Sequence, residues 1–306
     1  MSLQLRFADA PLGHEIAGVD VVNVDDATFA EIENAYNTYG VICFRNQKIT
    51  PEQHIAFSKR FGPLDKYVID KYNHPDYPDI FVVSNIIDAN GKPLGMEDAG
   101  RYWHSDMWSQ QRPPRGSMLY ALEVPRQADG TPLGDTYFAS TAAALDDLPA
   151  DLMRRIDGRK ALYTRAKANA YRASISPDNE RTRESAAARS TIPMVEIWHP
   201  LIRVHPISGR KCLYLSEGMV ARIEGYDEAE SQKLCEELLA HIISPPHVYR
   251  HRWQEGDLVM WDNITCIHRA TGDFALPQRR LVYRTTLSAA SLYKDESPRE
   301  EHARVA

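Results

Sequence analysis

Gly100-Arg101-Tyr102-Trp103-His104-Ser105-Asp106 is the stretch from which the rest of the chain can be read. It suits an extended strand, on which side chains two residues apart point the same way. His104 and Asp106 then share one face. An imidazole and a carboxylate so placed can occupy adjacent positions around a single metal ion. A third ligand would complete a facial triad and leave the opposite positions open. A lone His-x-Asp is usually fortuitous, so its weight depends on what accompanies it.

A second stretch runs Gly256-Asp257-Leu258-Val259-Met260-Trp261-Asp262-Asn263, then Ile264 to Ile267, then His268-Arg269-Ala270. The pattern predicts a strand ending at Trp261-Asp262-Asn263, a tight connection, and a new element beginning at His268. By itself His268 would read as a satisfied core histidine; beside a distant His-x-Asp it becomes a candidate third ligand. Further on lies Leu276-Pro277-Gln278-Arg279-Arg280-Leu281-Val282-Tyr283-Arg284-Thr285-Thr286. If 280–286 is a strand, Arg280, Val282 and Arg284 share one face, and Arg279, Leu281 and Tyr283 the other. Two guanidiniums turned inward are costly to bury without anions, and their planar forks suit carboxylate or sulfonate. A solvent-facing basic strand is the alternative.

The remaining chain is read outward from these stretches. Leu3 to Asp20 predicts two short strands broken at Pro11-Leu12-Gly13. Ala27 to Tyr39 carries Phe29, Ile32 and Tyr36 at helical spacing, with Gly40 as the C-cap. Val41 to Phe44 reads as a buried strand. Thr50-Pro51-Glu52-Gln53 opens a helix with an N-cap, a first-turn proline and a capping-box partner, and Gly62-Pro63 closes it. Further strands are expected at Ile80–Ser84, Gly116–Leu122, Leu201–His205, Lys211–Leu215 and Asp257–Trp261, and helices at Thr141–Ile156 and Asp227–Ile242. Asp88–Gly100 and Thr164–Thr191 are polar and poor in large apolar residues, and are expected to be mobile, lid-like loops. No repeat and no linker divides the chain, so one domain is expected over 1–290, with a disordered tail over 291–306.

Composition narrows the function. At 306 residues, 43% apolar and 25% charged, the chain matches an ordinary globular domain with a sizeable core. A net charge of −6 argues against nucleic acid as a partner. Cys43, Cys212, Cys235 and Cys266 show no paired spacing, which suits free thiols in a reducing cytoplasm. No signal-peptide pattern and no apolar run of about 18 residues is present, so neither secretion nor a membrane span is expected.

Taken together, these motifs resemble the taurine dioxygenase and 2,4-dichlorophenoxyacetate dioxygenase family of iron(II)/2-oxoglutarate enzymes. The resemblance runs from about residue 3 to 290. It rests on Gly13-His14-Glu15-Ile16-Ala17-Gly18-Val19-Asp20, Phe57-Ser58 through Phe61-Gly62-Pro63, Trp103-His104-Ser105-Asp106 and Gly134-Asp135-Thr136. His199-Pro200-Leu201 through Gly209-Arg210-Lys211, Trp261-Asp262-Asn263 and Pro277-Gln278-Arg279-Arg280 complete it. It implies an α+β, mainly β fold, with a double-stranded β-helix (jelly-roll) core and flanking helices. It also implies His104, Asp106 and His268 as iron ligands, with Thr136 and Arg280 on the distal carboxylate of 2-oxoglutarate and Arg284 against an acidic substrate group. The segment from His268 to Arg280 is one residue longer than in the taurine enzymes. Counting from the histidine would select Arg279, whereas strand parity and the Pro-Gln-Arg-Arg motif select Arg280.

The implied reaction uses Fe(II), 2-oxoglutarate and O2 to hydroxylate a small anionic molecule (a sulfonate, phenoxyalkanoate or other carboxylate), releasing succinate and CO2. Glu97-Asp98-Ala99-Gly100-Arg101-Tyr102 lacks the asparagine of taurine-type enzymes, and the motif wording is closer to the phenoxyalkanoate type. Lys66–His74, with Tyr67, Lys71, Tyr72 and His74, is a candidate substrate-contact segment. The family further implies a homo-oligomer. Desaturation on the same scaffold and a non-catalytic anion-binding β-barrel are the alternatives. Asp106 argues against a halogenase, which has a small residue there, and a zinc hydrolase would need a general base that the motifs do not supply.

Overall fold

The computed structural model describes residues 3–67, 69–97, 100–176, 180–190 and 194–293. The chain begins with β1 (Gln4–Arg6), β2 (His14–Ala17), α1 (Asp26–Tyr39), β3 (Val41–Phe44), α2 (Pro51–Lys59), β4 (Leu64–Asp65) and β5 (Phe81–Ser84). Then come β6 (Gly116–Glu123), β7 (Thr136–Ser140), α3 (Thr141–Asp146), α4 (Ala150–Ile156), β8 (Lys160–Thr164), α5 (Arg165–Ile175) and α6 (Glu180–Ser190). The last part holds β9 (Glu196–Pro200), β10 (Ile202–Val204), β11 (Lys211–Leu213), β12 (Val220–Ile223) and α7 (Glu228–Ile242). It ends with β13 (Val248–His251), β14 (Leu258–Asp262), β15 (Cys266–Ala270) and β16 (Leu281–Leu287).

An eight-stranded sheet runs β1-β2-β3-β14-β6-β16-β4, with β5 also on β16. A three-stranded sheet, β13-β7-β15, accompanies it. Alternation along β3 shows how the layers stack. Ile42 and Phe44 pack with Ile32, Ala35 and Tyr36 of α1 and Phe57 of α2. Val41 and Cys43 turn the other way, into a core shared with Phe138 of β7 and Cys266 of β15. The large sheet therefore has helices on one face and the small sheet on the other. Each large apolar side chain so buried stabilises by about 1.5–3 kcal/mol. A third core joins β8, β12, α4 and α7 to Tyr102 and Trp103, seating the His-x-Asp segment against it.

Local signals place most of these elements. Gly40 adopts φ 72° and its N–H closes α1 on the Tyr36 carbonyl. Thr50 and Gln53 form the capping box of α2, and Asp227 with Glu230 forms that of α7. α2 ends at Lys59, before Phe61. The helix expected over Thr141–Ile156 is two, because Pro149, which lacks an N–H, stands at the N-cap of α4.

Thr164–Thr191 corrects the loop expectation, since its described residues are mainly α5 and α6. Arginine and alanine are strong helix formers, Thr164 caps α5 through Lys167 N–H, and the small Ala168 is fully buried. Low apolar content had signalled a loop where a helix needs only a narrow seam. In the other expected loop, Ile87 pairs with Pro93 and Met96 with Val83, so the segment turns at Asn90-Gly91 and returns along β5. The expected tail lies outside the described residues from 294 onward. No helix among the described residues is long and apolar enough to cross a membrane.

Candidate metal and cosubstrate site

The His-x-Asp segment is not a strand. His104 forms an isolated antiparallel bridge with His268, and Asp106 opens a turn. His268 lies in the middle of β15 rather than at its start. The bridge is reciprocal: His104 N–H donates to the His268 carbonyl at 3.0 Å, and His268 N–H returns the bond at 2.9 Å. It brings together residues far apart in the chain, so that one nitrogen from each imidazole and a carboxylate oxygen of Asp106 lie within 4.8 Å of one another.

The neighbours of these groups determine which atoms are free. His104 Nδ1 lies 2.8 Å from the Tyr102 carbonyl, which can only accept, so Nδ1 carries the proton and Nε2 keeps a lone pair. Ser117 Oγ on β6 donates to Asp106 Oδ2 at 2.9 Å, and Arg284 Nη2 on β16 lies 3.0 Å from the same oxygen. Asp106 Oδ1 is left facing His104 Nε2 at 3.8 Å and His268 Nε2 at 4.0 Å. Burial would raise the Asp106 pKa, but Arg284 and the two histidines outweigh it and hold the group at about 2. Burial also lowers the basicity of His104 and, more strongly, of His268. The cluster thus presents a carboxylate and two neutral imidazoles, the ionisation states that a divalent metal requires.

The Trp261-Asp262-Asn263 motif builds the support. Asp262 Oδ1 accepts from Ile264 N–H and Thr265 N–H at 2.8 Å each, shaping the turn into β15, while His205 Nε2 meets Oδ2 at 3.0 Å. Ser105 Oγ donates to the Asn263 carbonyl at 2.6 Å, tying the His-x-Asp segment to that turn. Gly100 has φ 74°, and a Cβ there would stand 3.0 Å from His104 Cε1.

Thr136 begins β7, two residues before the Phe138 that pairs with His268, so Thr136 and His268 face the same interior. Its hydroxyl accepts from Trp253 Nε1 at 3.0 Å, leaving its own proton to donate. Arg280 and Arg284 are 6% and 8% exposed, as strand parity requires, whereas Arg279 lies outside, paired with Glu123 at 2.9 and 3.0 Å. The Arg280 backbone is pinned by Asn85 and Ser84, and its guanidinium lies 5.6 Å from the Phe274 ring. Among the described residues no carboxylate comes within ion-pair distance of Arg280, and burial pulls its pKa down to about 10. His268 Nδ1 and Arg284 Nε are likewise buried with no hydrogen-bond partner among the described residues, while Arg284 Nη2 faces Asp106. A buried cation beside orphaned polar atoms suits an anionic ligand.

Of the candidate contact segment, Tyr67 lies beside the site, its ring 5.8 Å from the Arg284 guanidinium carbon. Tyr72 packs on Phe81, Lys71 pairs with Glu184, and His74 meets Tyr283 edge to face on the opposite face of β16. Ser117, Tyr102 and Trp253 escaped the sequence reading; only Tyr102 lay inside a quoted motif.

Two other groups of His, Cys and acidic residues could hold a cation: Cys43, His251 and Asp257, and Asp147, His241 and His247. In the first, Arg45 already neutralises the fully buried Asp257; in the second, Asp147 accepts from both histidines.

Residues 5–286 match the model of the taurine catabolism dioxygenase TauD, TfdA family. The chain is 35% identical over 289 residues to the alpha-ketoglutarate-dependent 2,4-dichlorophenoxyacetate dioxygenase of Cupriavidus pinatubonensis, covering 90% of this chain and 95% of that protein. It is 33% identical over 281 residues to the alpha-ketoglutarate-dependent sulfate ester dioxygenase of Pseudomonas putida, covering 90% and 86%. Among solved structures, AAD-2 in complex with Mn(II) and N-oxalylglycine superposes with a TM-score of 0.75 at 26% identity, covering 94% of this chain and 97% of that one.

Proposed function

Since the chain belongs to the TauD/TfdA family and is an Fe(II)- and 2-oxoglutarate-dependent dioxygenase, we propose that it hydroxylates a small organic anion, releasing succinate and CO2. The observation that carries this reading is the buried His104, Asp106 and His268 cluster, with its three donor atoms within 4.8 Å. The two packed sheets are read as a double-stranded β-helix, with the site between them. Four free cysteines fit the cytoplasm as its compartment.

In this reading His104, Asp106 and His268 hold iron(II). The bound metal would supply the oxygen activation that couples decarboxylation of the oxo acid to attack on a substrate C–H bond. The protein orients and excludes. The Tyr102 carbonyl locks the His104 tautomer, and Ser117 with Arg284 occupies Asp106 Oδ2 so that Oδ1 is the ligating oxygen. Arg280 forms a bidentate pair with the distal carboxylate of 2-oxoglutarate, and the Thr136 hydroxyl donates to it while held by Trp253. Arg284, through the side of its guanidinium not turned to Asp106, meets the substrate's acidic group. The near-complete burial of these residues keeps bulk water from the reacting carbon.

The test is an anaerobic titration of metal-free protein with iron(II), then 2-oxoglutarate, followed by the visible metal-to-ligand charge-transfer band. The band is expected in the wild type and absent in His268→Ala. A band of full intensity in that variant sinks the ligand assignment.

A further inference from the structure

Arg172 stands outside the residues assigned so far, yet it is built into the wall of the same site. It lies on α5 seven residues after Arg165, which puts both on one face of the helix, with the fully buried Ala168 between them. α5 packs on β8 and β12, which sets this face beside the site. Arg172 Nε donates to the Tyr102 hydroxyl at 2.8 Å, and its guanidinium carbon lies 5.3 Å from the Tyr102 ring centre. That ring lies 4.7 Å from the His104 ring. Arg165 donates to Ser109, three residues past Asp106, at 2.7 Å. One helical face thus presents two guanidiniums around the His-x-Asp segment.

Charge balance says what such a face is for. Iron(II) and the dianion of 2-oxoglutarate neutralise each other when both are bound. Of the arginines at the site, Arg284 already shares Asp106. Arg172 has no carboxylate within ion-pair distance among the described residues; its further contact is Asn169 Oδ1 at 3.5 Å. Glu217 accepts instead from the Trp103 N–H at 2.8 Å and from the Tyr171 hydroxyl. Burial, reinforced by the like charge of Arg172, depresses the Arg165 pKa, so the two guanidiniums are close enough to repel. An anion between them and the metal relieves that repulsion.

We propose that Arg172, positioned by the Tyr102 hydroxyl, is a second anion-binding residue of the substrate site, so that an organic oxyanion is held from α5 as well as from β16. This rests on the reading of the chain as a dioxygenase of organic anions and adds a specificity residue to it. Tyr102 then has two roles: its carbonyl orients His104 and its hydroxyl aims Arg172. Substrate binding is in that way tied to the segment that carries two candidate metal ligands.

The experiment measures binding of phenoxyacetate, hexyl sulfate and the neutral phenoxyacetamide to anaerobic Fe(II)·2-oxoglutarate enzyme, from their perturbation of the charge-transfer band. In Arg172→Gln both anions should bind at least tenfold more weakly, with phenoxyacetamide and the unperturbed band unchanged. Tyr102→Phe, which leaves the guanidinium but frees it, should give a smaller loss of the same sign. Equal weakening of anions and amide would mean a purely structural role and overturn the inference. If Arg172→Gln binds both anions within twofold of the wild type while Arg284→Gln does not, the inference falls and the anionic-substrate reading stands. If neither anion perturbs the wild-type band at millimolar concentration, both fall.

Discussion

Ser117→Ala isolates one atom of the proposed site. Ser117 is fully buried on β6, and its hydroxyl donates to Asp106 Oδ2 at 2.9 Å. Replacing it with alanine removes one oxygen, creates no sizeable void and leaves the pleat intact. A hydrogen bond to a charged group contributes about 1.5–3 kcal/mol, equivalent to roughly 10- to 150-fold in an equilibrium constant. Arg284 lies 3.0 Å from the same oxygen and keeps part of that interaction, so the lower end applies. Iron(II) affinity should fall about 10- to 30-fold, in line with the usual effect of losing a partner behind a metal ligand. The assay is anaerobic competition of iron(II) against a calibrated chelator, with circular dichroism to show an unchanged fold. Ser58→Ala is the control: its buried hydroxyl donates to the His54 carbonyl at 2.8 Å, away from the metal ligands, and should leave affinity unchanged. An Ser117→Ala protein that binds iron within twofold of the wild type would refute the claim that Oδ2 is the anchored oxygen and Oδ1 the ligand.

Other perturbations probe the remaining parts. Arg280→Gln should weaken 2-oxoglutarate by about 100-fold or more while sparing iron binding, since it removes the buried cation that proposedly pairs with the cosubstrate; a titration of the charge-transfer band checks this. Arg279→Gln, on the surface with Glu123, should leave that affinity unchanged. Gly100→Ala should cost about 1–2 kcal/mol of stability by urea denaturation and weaken iron binding, because φ 74° disfavours a side chain and the new Cβ would stand 3.0 Å from His104. Stability should also fall on acidification. Burial pushes the fully buried His54 down to about 3 and His199, also buried, to about 4. A depressed folded pKa means that the unfolded chain takes up the proton first, so stability is full above about pH 6.5 and is lost as pH falls towards those values. His54 alone should account for a loss of about 2 kcal/mol by pH 5, read from urea midpoints, and a flat profile between pH 7 and 5 would contradict its burial in neutral form.

The arrangement of the site explains why its motifs are short and scattered. Each is a place where a different strand or turn meets one interior: His104 on a bridge to β15, Asp106 on the turn that follows, His268 on β15, Thr136 on β7 and Arg284 on β16. Asp262 and Asn263 buttress the cluster through hydrogen bonds. They shape the turn that starts β15 and tie the segment carrying Asp106 to it.

What could be read without tertiary information was whatever depends on a few consecutive residues. Thr50-Pro51-Glu52-Gln53 caps a helix by bonds within one turn, Gly40 ends another through its own φ, and strand parity separates Arg280 and Arg284 from Arg279, though only the folded chain shows that the first two face inward. The ligand candidates were legible because their residue types are unusual for a core. Their convergence was not, since it depends on the reciprocal bridge between His104 and His268, which joins the His-x-Asp segment to β15. The same holds for Ser117, an ordinary strand residue until the sheet sets it against Asp106. It holds too for Arg172, whose helix carries few large apolar residues and packs through Arg165, Ala168 and Tyr171. Capping and parity are short-range consequences of backbone sterics and hydrogen bonding, so sequence specifies them. Side-chain partners from different elements are selected by how the sheets close over the core, and only the folded chain decides those.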